Sequence, residues 1–175
     1  MKKLLLSLVV TLSTACIFQS CKVNLHEANY DVIPMPNEIL LKAETGFILS
    51  DGTKIYYPEG NGKMKRNAEF LAEYILEQTG ISVVPTSLCG SNGIILQISN
   101  NKTNTESYQI KVTEDHVIIS ADSEAGIFYG IQTLRKSIAK TEGKKIILPA
   151  VEINDAPRFG YRGTMLDVSR HFFPV

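Results

Sequence analysis

The residues best suited to chemistry lie in the last twenty positions of this 175-residue chain. Four charged side chains lie at the ends of the short, mostly apolar run Met165–Val168: Arg162 precedes it, and Asp167, Arg170 and His171 lie at or after its end. A short, apolar and partly β-branched run predicts a buried strand. Charged groups at the ends of such a strand need partner charges or ligands, because burying a lone charge is costly. These four side chains are therefore the candidates for a site.

The position of this strand also bears on domain organisation. Asn154–Phe159 is predicted as a turn that ends a first domain. A single strand at the end of a chain has no layer to pack against, and domains are built from packed layers. The sequence therefore predicts that residues 154–175 open a second, truncated domain.

The stretch Pro157–Gly163, continued by Leu166–Phe172, resembles the opening of the catalytic barrel of the family 20 glycoside hydrolases, the β-N-acetylhexosaminidases. Residues Ser123–Leu134 are similar to the second helix of that family's N-terminal non-catalytic domain, and Ile33–Pro36 fits the start of the same domain. The resemblance covers residues 32–175. The terminal stretch is long and specific, whereas related N-terminal domains also occur in other glycosidase families.

By this resemblance, Arg162 matches an arginine that holds hydroxyl groups of the terminal N-acetylhexosamine. A planar guanidinium suits that task because its fork can bind two vicinal hydroxyls. Asp167, Arg170 and His171 match positions near the end of the strand and imply a supporting role. On a regular strand, residues 162 and 167 face opposite sides. A salt-bridged barrel rim is the alternative for all four residues, and it is preferred for Arg170 and His171.

The resemblance also implies a mechanism that this chain cannot complete. The acetamido oxygen of the substrate attacks the anomeric carbon, assisted by an adjacent Asp-Glu pair on a later barrel strand. This chain lacks that pair, and it has no tryptophan to wall the sugar pocket. Glu114 and Asp115 lie in a predicted hairpin turn and are no substitute. The chain alone is expected to be inactive, with no metal or organic cofactor. The substrates of the whole enzyme would be glycans ending in N-acetylglucosamine or N-acetylgalactosamine.

The elements that would support this site are predicted from hydrophobic periodicity. Residues 32–153 are expected to form an α+β domain, with a mostly antiparallel sheet and two helices on one face. The start of a truncated (β/α)8 barrel follows in residues 154–175. Strands are predicted at 47–49, 54–57, 93–99, 108–112, 117–121 and 145–148, the last being the final strand of the domain.

The first helix is predicted from about Lys63 to Thr79, with Gly80 as its left-handed stop. Its apolar face is Ala68, Leu71, Ala72, Ile75 and Leu76. Glutamates at positions 69, 73 and 77 line the other side, and a solvated surface is preferred there over a metal site.

The second helix is predicted to begin after a cap at Asp122 or Ser123. Its apolar face is Ile127, Ile131, Leu134 and Ile138. Gly126 and Gly130 each cost about 1 kcal/mol in a helix relative to alanine. They predict close packing against the sheet. The alternative is a membrane dimer motif, and the polar neighbours on the helix argue against it.

The N-terminus predicts export. A basic start precedes the apolar run Leu4–Phe18, which is typical of a secretory signal and short for a membrane span. Cys21 follows a small residue and is the preferred lipidation site of a bacterial lipoprotein signal spanning residues 1–21. Cys16 competes with it, and an ordinary cleaved signal is the alternative. A lipid anchor would hold the protein in the periplasm or at the outer membrane or cell surface, with residues 22–31 as a tether.

The remaining composition narrows the classes of function. Lys plus Arg and Asp plus Glu are 18 each, so no basic surface for nucleic acid is expected. Cys89 is predicted as a buried, small apolar residue. The alternative to an enzyme is a small surface lipoprotein that binds glycans or acts as a scaffold. Such a module needs exposed aromatic rings, whereas Tyr108 and Phe128 occupy positions typical of a core.

Overall fold

The structure is a computed structural model that describes residues 25–99, 106–141 and 145–165. Within these ranges the helices are α1 (Gly62–Thr79) and α2 (Glu124–Ser137). The strands are β1 (His26–Glu27), β2 (Glu38–Leu41), β3 (Phe47–Ser50), β4 (Lys54–Tyr56), β5 (Val84–Thr86), β6 (Gly93–Ile98), β7 (Tyr108–Val112), β8 (His116–Ala121), β9 (Lys145–Leu148) and β10 (Val151–Asp155).

Seven strands form a main sheet in the order β2-β10-β7-β8-β6-β4-β5. Neighbours are antiparallel from β2 to β8 and parallel from β8 to β5. In a second, smaller sheet β9 lies between β1, which is parallel to it, and β3, which is antiparallel. The predicted α+β class, with mostly antiparallel sheets and two helices, is confirmed. The expectation of a single sheet is wrong.

One face of the main sheet packs against both helices. In β7, Tyr108, Ile110 and Val112 are buried while Gln109 and Lys111 are exposed. This alternation is the period of two that a half-buried strand requires, and it confirms the predicted hairpin of β7 and β8. The helices contribute buried stripes at Met64, Ala68, Leu71 and Ile75 of α1 and Ile127, Ile131 and Leu134 of α2.

Side-chain and glycine caps mark where the helices begin and end. The Asn61 carboxamide oxygen accepts hydrogen bonds from the backbone N–H groups of Lys63 and Met64, each at 3.1 Å. Gly80 ends α1 with φ 72°, the left-handed conformation predicted for it. At α2, the Ser123 hydroxyl accepts from the Gly126 N–H at 3.2 Å, which identifies Ser123 as the cap. These bonds satisfy backbone groups that have no partner inside the helix.

Two glycines let α2 approach the sheet closely, as predicted. A Cβ atom added at Gly126 would overlap the carbonyl oxygen of Ser107 and lie 2.7 Å from the Cβ of Ala121. A Cβ atom at Gly130 would lie 2.6 Å from Cγ2 of Ile119. Both distances are shorter than real Cβ contacts, so no larger side chain fits at either position without movement.

Several predictions near the chain ends are wrong. Residues 25–31 belong to the domain rather than to a tether, since Ala28 and Tyr30 are buried. The Tyr30 hydroxyl donates to the Pro149 carbonyl at 2.9 Å. Lys145–Leu148 is not the final strand, because β10 follows it and lies between β2 and β7. Residues 154 and 155 therefore end a strand instead of beginning a turn.

Several predicted burials are also wrong. Leu76 is 51% exposed, because it lies about 100° around the helix from the buried Ile75. Cys89 is exposed in the loop between β5 and β6. Met165 is 92% exposed and outside any strand. The rest of the predicted strand Met165–Val168 lies outside the described residues.

The glycine contacts predict a graded loss of stability. In Gly126→Ala the new methyl group meets the Ser107 backbone, which cannot rotate away, so the free energy of unfolding should fall by about 1–3 kcal/mol. The matched control is Gly62→Ala in the first turn of α1, where an added Cβ has no neighbour within 4 Å. It should be neutral or stabilise by up to about 1 kcal/mol. Urea unfolding of both variants measures the difference, and equal midpoints would contradict the close approach of α2.

Candidate functional site

The segment that carries Arg162 leaves the domain at the end of β10. Asp155, the last residue of β10, accepts a hydrogen bond at Oδ1 from the backbone N–H of Asn37 at 3.1 Å. The Asn37 side-chain amide donates to the Ala156 carbonyl at 2.8 Å. These two bonds join the segment before β2 to the segment after β10, so the point from which residues 157–162 leave the domain is set by the sheet.

A buried tyrosine also contacts the end of β10. The Tyr108 hydroxyl donates to Oδ2 of Asp155 at 2.9 Å and lies 2.6 Å from the Thr133 hydroxyl on α2. Because the phenol has one hydrogen, Thr133 acts as the donor to Tyr108 in this chain of bonds. Burial raises the pKa of Tyr108, and the charge of Asp155 acts in the same direction.

Arg162 contacts the domain through an ion pair. Its Nη2 donates to Oε1 of Glu106 at 2.8 Å, and its Nη1 donates to the Phe159 carbonyl at 2.6 Å. The Tyr129 hydroxyl of α2 donates to the same Glu106 oxygen at 3.1 Å. These hydrogen bonds, that of Arg162 first, lower the pKa of Glu106. The pair is exposed on both sides, so its contribution to stability is small.

A cavity of about 320 Å³ lies beside this ion pair, between α2, residues 34–37 and residues 155–162. Tyr108, Thr133 and Asp155 line it on one side and Glu106 and Arg162 on another. It also contains Gln132, whose buried Nε2 has no hydrogen-bond partner among the residues described. The cavity can accept polar groups. Of the four residues that the sequence predicted, Arg162 lies in the described part of the chain, and it lines this cavity.

The other predicted site residues lie outside the described ranges: Asp167, Arg170, His171 and the lipidation candidates Cys21 and Cys16. The residues that sequence reasoning missed are Glu106 and Tyr129. They lie 23 positions apart and meet only through the fold, so no local spacing signals them. The nearest signal was Tyr129 itself, which lies inside the helix motif Ser123–Leu134.

The part of the chain that the structure describes holds neither a metal-type cluster nor a membrane-spanning helix. In residues 25–99, 106–141 and 145–165, no group of three His, Cys, Asp or Glu side chains could hold a metal ion. The three glutamates along α1, predicted as a solvated surface, are exposed. No helix of these ranges combines the length and apolar character needed to cross a membrane.

Comparison with known proteins identifies the fold. The family described as "Glycosyl hydrolase family 20, domain 2" matches residues 29–156. The chain belongs to glycosyl hydrolase family 20. The matched range covers both sheets and both helices, apart from β1 at residues 26–27, and it ends at Ala156, where the segment leading to Arg162 begins.

Relatives of this family 20 domain are hexosaminidases. The chain is 29% identical to a beta-N-acetylhexosaminidase of Cellulomonas fimi, over 83% of this chain and 30% of that protein. It is 31% identical to a beta-hexosaminidase of Porphyromonas gingivalis, over 86% of this chain and 20% of that protein. The chain therefore spans between a fifth and a third of the length of these relatives.

Solved structures agree with the sequence relatives. An N-acetyl-beta-hexosaminidase of Streptomyces plicatus, solved with Thio-NAglucal, superposes with a TM-score of 0.69 at 30% identity, covering 81% of this chain and 29% of that one. A mutant of the Streptomyces plicatus enzyme with its product GlcNAc gives a TM-score of 0.70, covering 83% and 30%. The resemblance on which the sequence analysis depended is confirmed.

The buried tyrosines of the family 20 domain predict a loss of stability at high pH. Burial raises the pKa of both Tyr30 and Tyr108 above the ordinary value near 10. A raised pKa in the folded state means that the stabilisation is complete below pH 10 and is lost as the pH rises beyond it. Above about pH 10, each tyrosine should lower the free energy of unfolding by up to about 1.4 kcal/mol per pH unit.

Urea unfolding between pH 9 and pH 11 measures this slope. Tyr30→Phe should reduce the slope by the contribution of one ionising group, because phenylalanine has no phenolic proton to lose. The matched control is Tyr161→Phe, which removes an exposed phenol. If the control reduces the slope as much as Tyr30→Phe does, burial is not the cause.

Proposed function

We propose that this chain is the N-terminal part of an exported β-N-acetylhexosaminidase. The whole enzyme would remove terminal N-acetylglucosamine or N-acetylgalactosamine residues from glycans, by the substrate-assisted retaining mechanism. The observation that carries this proposal is the family match over residues 29–156, directly followed by the segment that holds Arg162. The names of the relatives support the substrate class, since they are hexosaminidases.

Residues 1–175 alone would be inactive under this proposal. The mechanism needs an Asp-Glu pair next to the sugar, and the sequence has none. The adjacent carboxylates Glu114 and Asp115 lie in the turn between β7 and β8. Arg162 contacts Glu106, near the opposite end of β7. The five residues of β7 place these groups roughly 16 Å apart at 3.3 Å per residue, too far to act on one sugar.

Arg162 is the substrate-binding residue in this proposal. Its guanidinium has five N–H donors, of which two are used by Glu106 and Phe159. To hold two hydroxyls with its fork, the side chain would leave Glu106 for the sugar. Asp167, Arg170 and His171 would support it, as the family resemblance implies.

The mass of the native protein, measured by immunoblot in its host, tests the proposal first. A band far above 19.4 kDa, with activity on a chromogenic N-acetylglucosaminide, is expected. In that enzyme Arg162→Lys should lower kcat/KM about tenfold or more, because lysine cannot form two parallel bonds. The control Glu106→Gln should retain kcat/KM within about twofold. Equal losses of kcat/KM in the two variants would mean that Arg162 acts through its ion pair with Glu106 and not through a sugar contact.

The glycan-binding module remains the second candidate, because the structure partly exposes one of the two aromatic side chains that the sequence placed in the core. Tyr108 is buried as predicted, but Phe128 is 38% exposed. Phe128 contacts Phe70, with ring centroids 5.7 Å apart. The Arg135 guanidinium covers the rings of Phe70 and Tyr74 at 5.6 and 4.8 Å. A sugar would need such ring faces to be free, so this arrangement favours the enzyme over the module.

Export and lipidation form a separate part of the proposal. With Cys21 lipidated, the protein would be anchored in the periplasm or at the outer membrane or cell surface. Cys21→Ala should abolish metabolic labelling with radioactive palmitate and release the protein from the membrane fraction. The matched control Cys16→Ala should keep both. Loss of labelling in the control alone would assign the lipid to Cys16. No labelling in the unmodified protein would favour an ordinary cleaved signal.

A further inference from the structure

The domain begins close to the predicted lipidation site. Residues 25–31 belong to the domain, as the buried side chains of this segment show. Residues 22–24 are therefore the whole tether between Cys21 and Leu25. A chain extends by at most about 3.6 Å per residue, so the Cα atoms of Cys21 and Leu25 lie at most about 14 Å apart. A lipid on Cys21 would keep the start of β1 near the bilayer surface.

The small sheet, formed by β1, β9 and β3, lies at the C-terminal ends of the two helices. The backbone N–H of Asn29 donates to the carbonyl of Ser137, the last residue of α2, at 2.9 Å. The N–H of Thr141, which precedes β9, donates to the Gln78 carbonyl near the end of α1 at 3.0 Å. Three strands about 4.8 Å apart make a sheet about 10 Å across. The tether therefore reaches every strand of the small sheet.

One face of the small sheet is turned away from the core. In β3 and β9 every second residue is buried, and the residues between them project to the other side. There Ile48, which is 47% exposed, pairs with Ile147, and Ser50 pairs with the exposed Lys145. Glu27, on the edge strand β1, pairs with Ile147 from the opposite side. We define these five residues as the outer face.

The outer face combines side chains that suit a membrane surface. Ile48 and Ile147 place two apolar groups side by side across neighbouring strands. Lys145 can lay its methylene stem along them while its ammonium group stays among the lipid headgroups. Glu27 lies on the edge strand, where its carboxylate keeps its contact with water. Binding to a bilayer scales with the buried apolar area, and two isoleucines bury little of it. The lipid would therefore provide the affinity, and the outer face the orientation.

Neither the open surface of the main sheet nor the exit of the chain competes for this position. On the main sheet, Glu152 lies between Lys42 at 3.2 Å and Lys111 at 3.7 Å, and removing such charges from water is costly. The polypeptide that follows the domain leaves it after Asp155, at the end of β10 that lies away from β9. The outer face is thus the apolar surface nearest to the tether and lies apart from the exit.

We propose that the tether of residues 22–24 holds the outer face of the small sheet against the phospholipid bilayer that carries the lipid on Cys21. The inference rests on the lipidation part of the proposed function and not on the catalytic part. In this orientation the N-terminal ends of both helices point away from the membrane. The 18 residues of α1 place that end about 27 Å from the small sheet.

Photo-crosslinking of the full-length lipidated protein tests which partner contacts the outer face. The protein is reconstituted in vesicles of phosphatidylethanolamine and phosphatidylglycerol that contain a fluorescent phosphatidylethanolamine. With Ile48→p-benzoylphenylalanine, illumination should make the protein band fluorescent. The matched control is Leu88→p-benzoylphenylalanine, an exposed apolar position beside Asn61 at the N-terminal end of α1, which should give no lipid crosslink.

Three outcomes of this experiment would overturn the proposal. Position 48 could give no lipid crosslink, or the same yield as position 88. It could also crosslink to later residues of the same chain or to a second copy, which would identify a polypeptide as the occupant of the outer face.

Lengthening the tether tests its part in the orientation. An insertion of about 20 glycine and serine residues between Asn24 and Leu25 has an end-to-end distance of about 25 Å. Because the effective concentration of a tethered surface falls with roughly the −3/2 power of tether length, lipid crosslinking from position 48 should fall about tenfold. Palmitate labelling and hexosaminidase activity serve as controls and should be unchanged. Undiminished lipid crosslinking would contradict the role given to the tether.

The proposals fail in different ways. If Cys21→Ala keeps its palmitate label, the lipid is not on Cys21, and both the anchor and the orientation are removed while the catalytic proposal stands. A protein labelled at Cys21 whose position 48 does not reach lipid removes only the orientation. A protein that crosslinks to lipid from position 48 but has no hexosaminidase activity removes only the catalytic proposal.

Discussion

The close approach of α2 to β7 and β8 is the constraint on which the rest of this domain depends. Gly126 and Gly130 have no side chains, so the backbone of α2 lies against Ser107 and Ile119. That distance places Thr133 within hydrogen-bonding range of Tyr108 and allows Tyr129 to reach Glu106. A helix displaced outward by one methyl group would lose these bonds together, because all of them project from the same helix.

The second requirement is the position of β10 between β2 and β7. This arrangement fixes Asp155 at the corner where Asn37 and Tyr108 both bind it. The segment 156–162 then starts from a rigid point rather than from a free end. Two features position Arg162: the fixed point where segment 156–162 begins, and the ion pair with Glu106. The sheet therefore positions the candidate site, although the segment that carries Arg162 has no regular structure.

The sequence predicted the parts of the fold that local patterns encode. The β7–β8 hairpin alternates with period two, the helices repeat their apolar residues with the helical period, and Gly80 and Ser123 are standard caps. Burial also alternates along β10, where Val151 and Ile153 are buried. Asn154 and Asp155 are typical of turns, so the sequence did not indicate that the strand extends to them. β2, at the edge of the sheet, buries little and gives no alternation.

The candidate site was less accessible to sequence reasoning. Arg162 was a candidate because it precedes an apolar run, and a resemblance suggested its role, whereas Glu106 and Tyr129 meet only in three dimensions. Leu76 and Phe128 show the limit of periodicity for helices. A step of 100° per residue leaves residues at the margin of the apolar stripe, and neighbouring elements decide whether they are covered. The amphipathic pattern identifies the stripe but not its width.

The pairing of the first strands with the last ones has a consequence for the order in which the chain folds. β1 pairs with β9, and β2 pairs with β10, with Glu38 opposite Asn154. Chains emerge from the ribosome at about 5–20 residues per second, N-terminus first. β2 is therefore synthesised several seconds before its partner strand β10. The hairpin β7–β8 and α2, in contrast, can assemble from neighbouring residues. Closing such a long loop comes late, so the edge that carries β2 is the last part of the sheet to be completed.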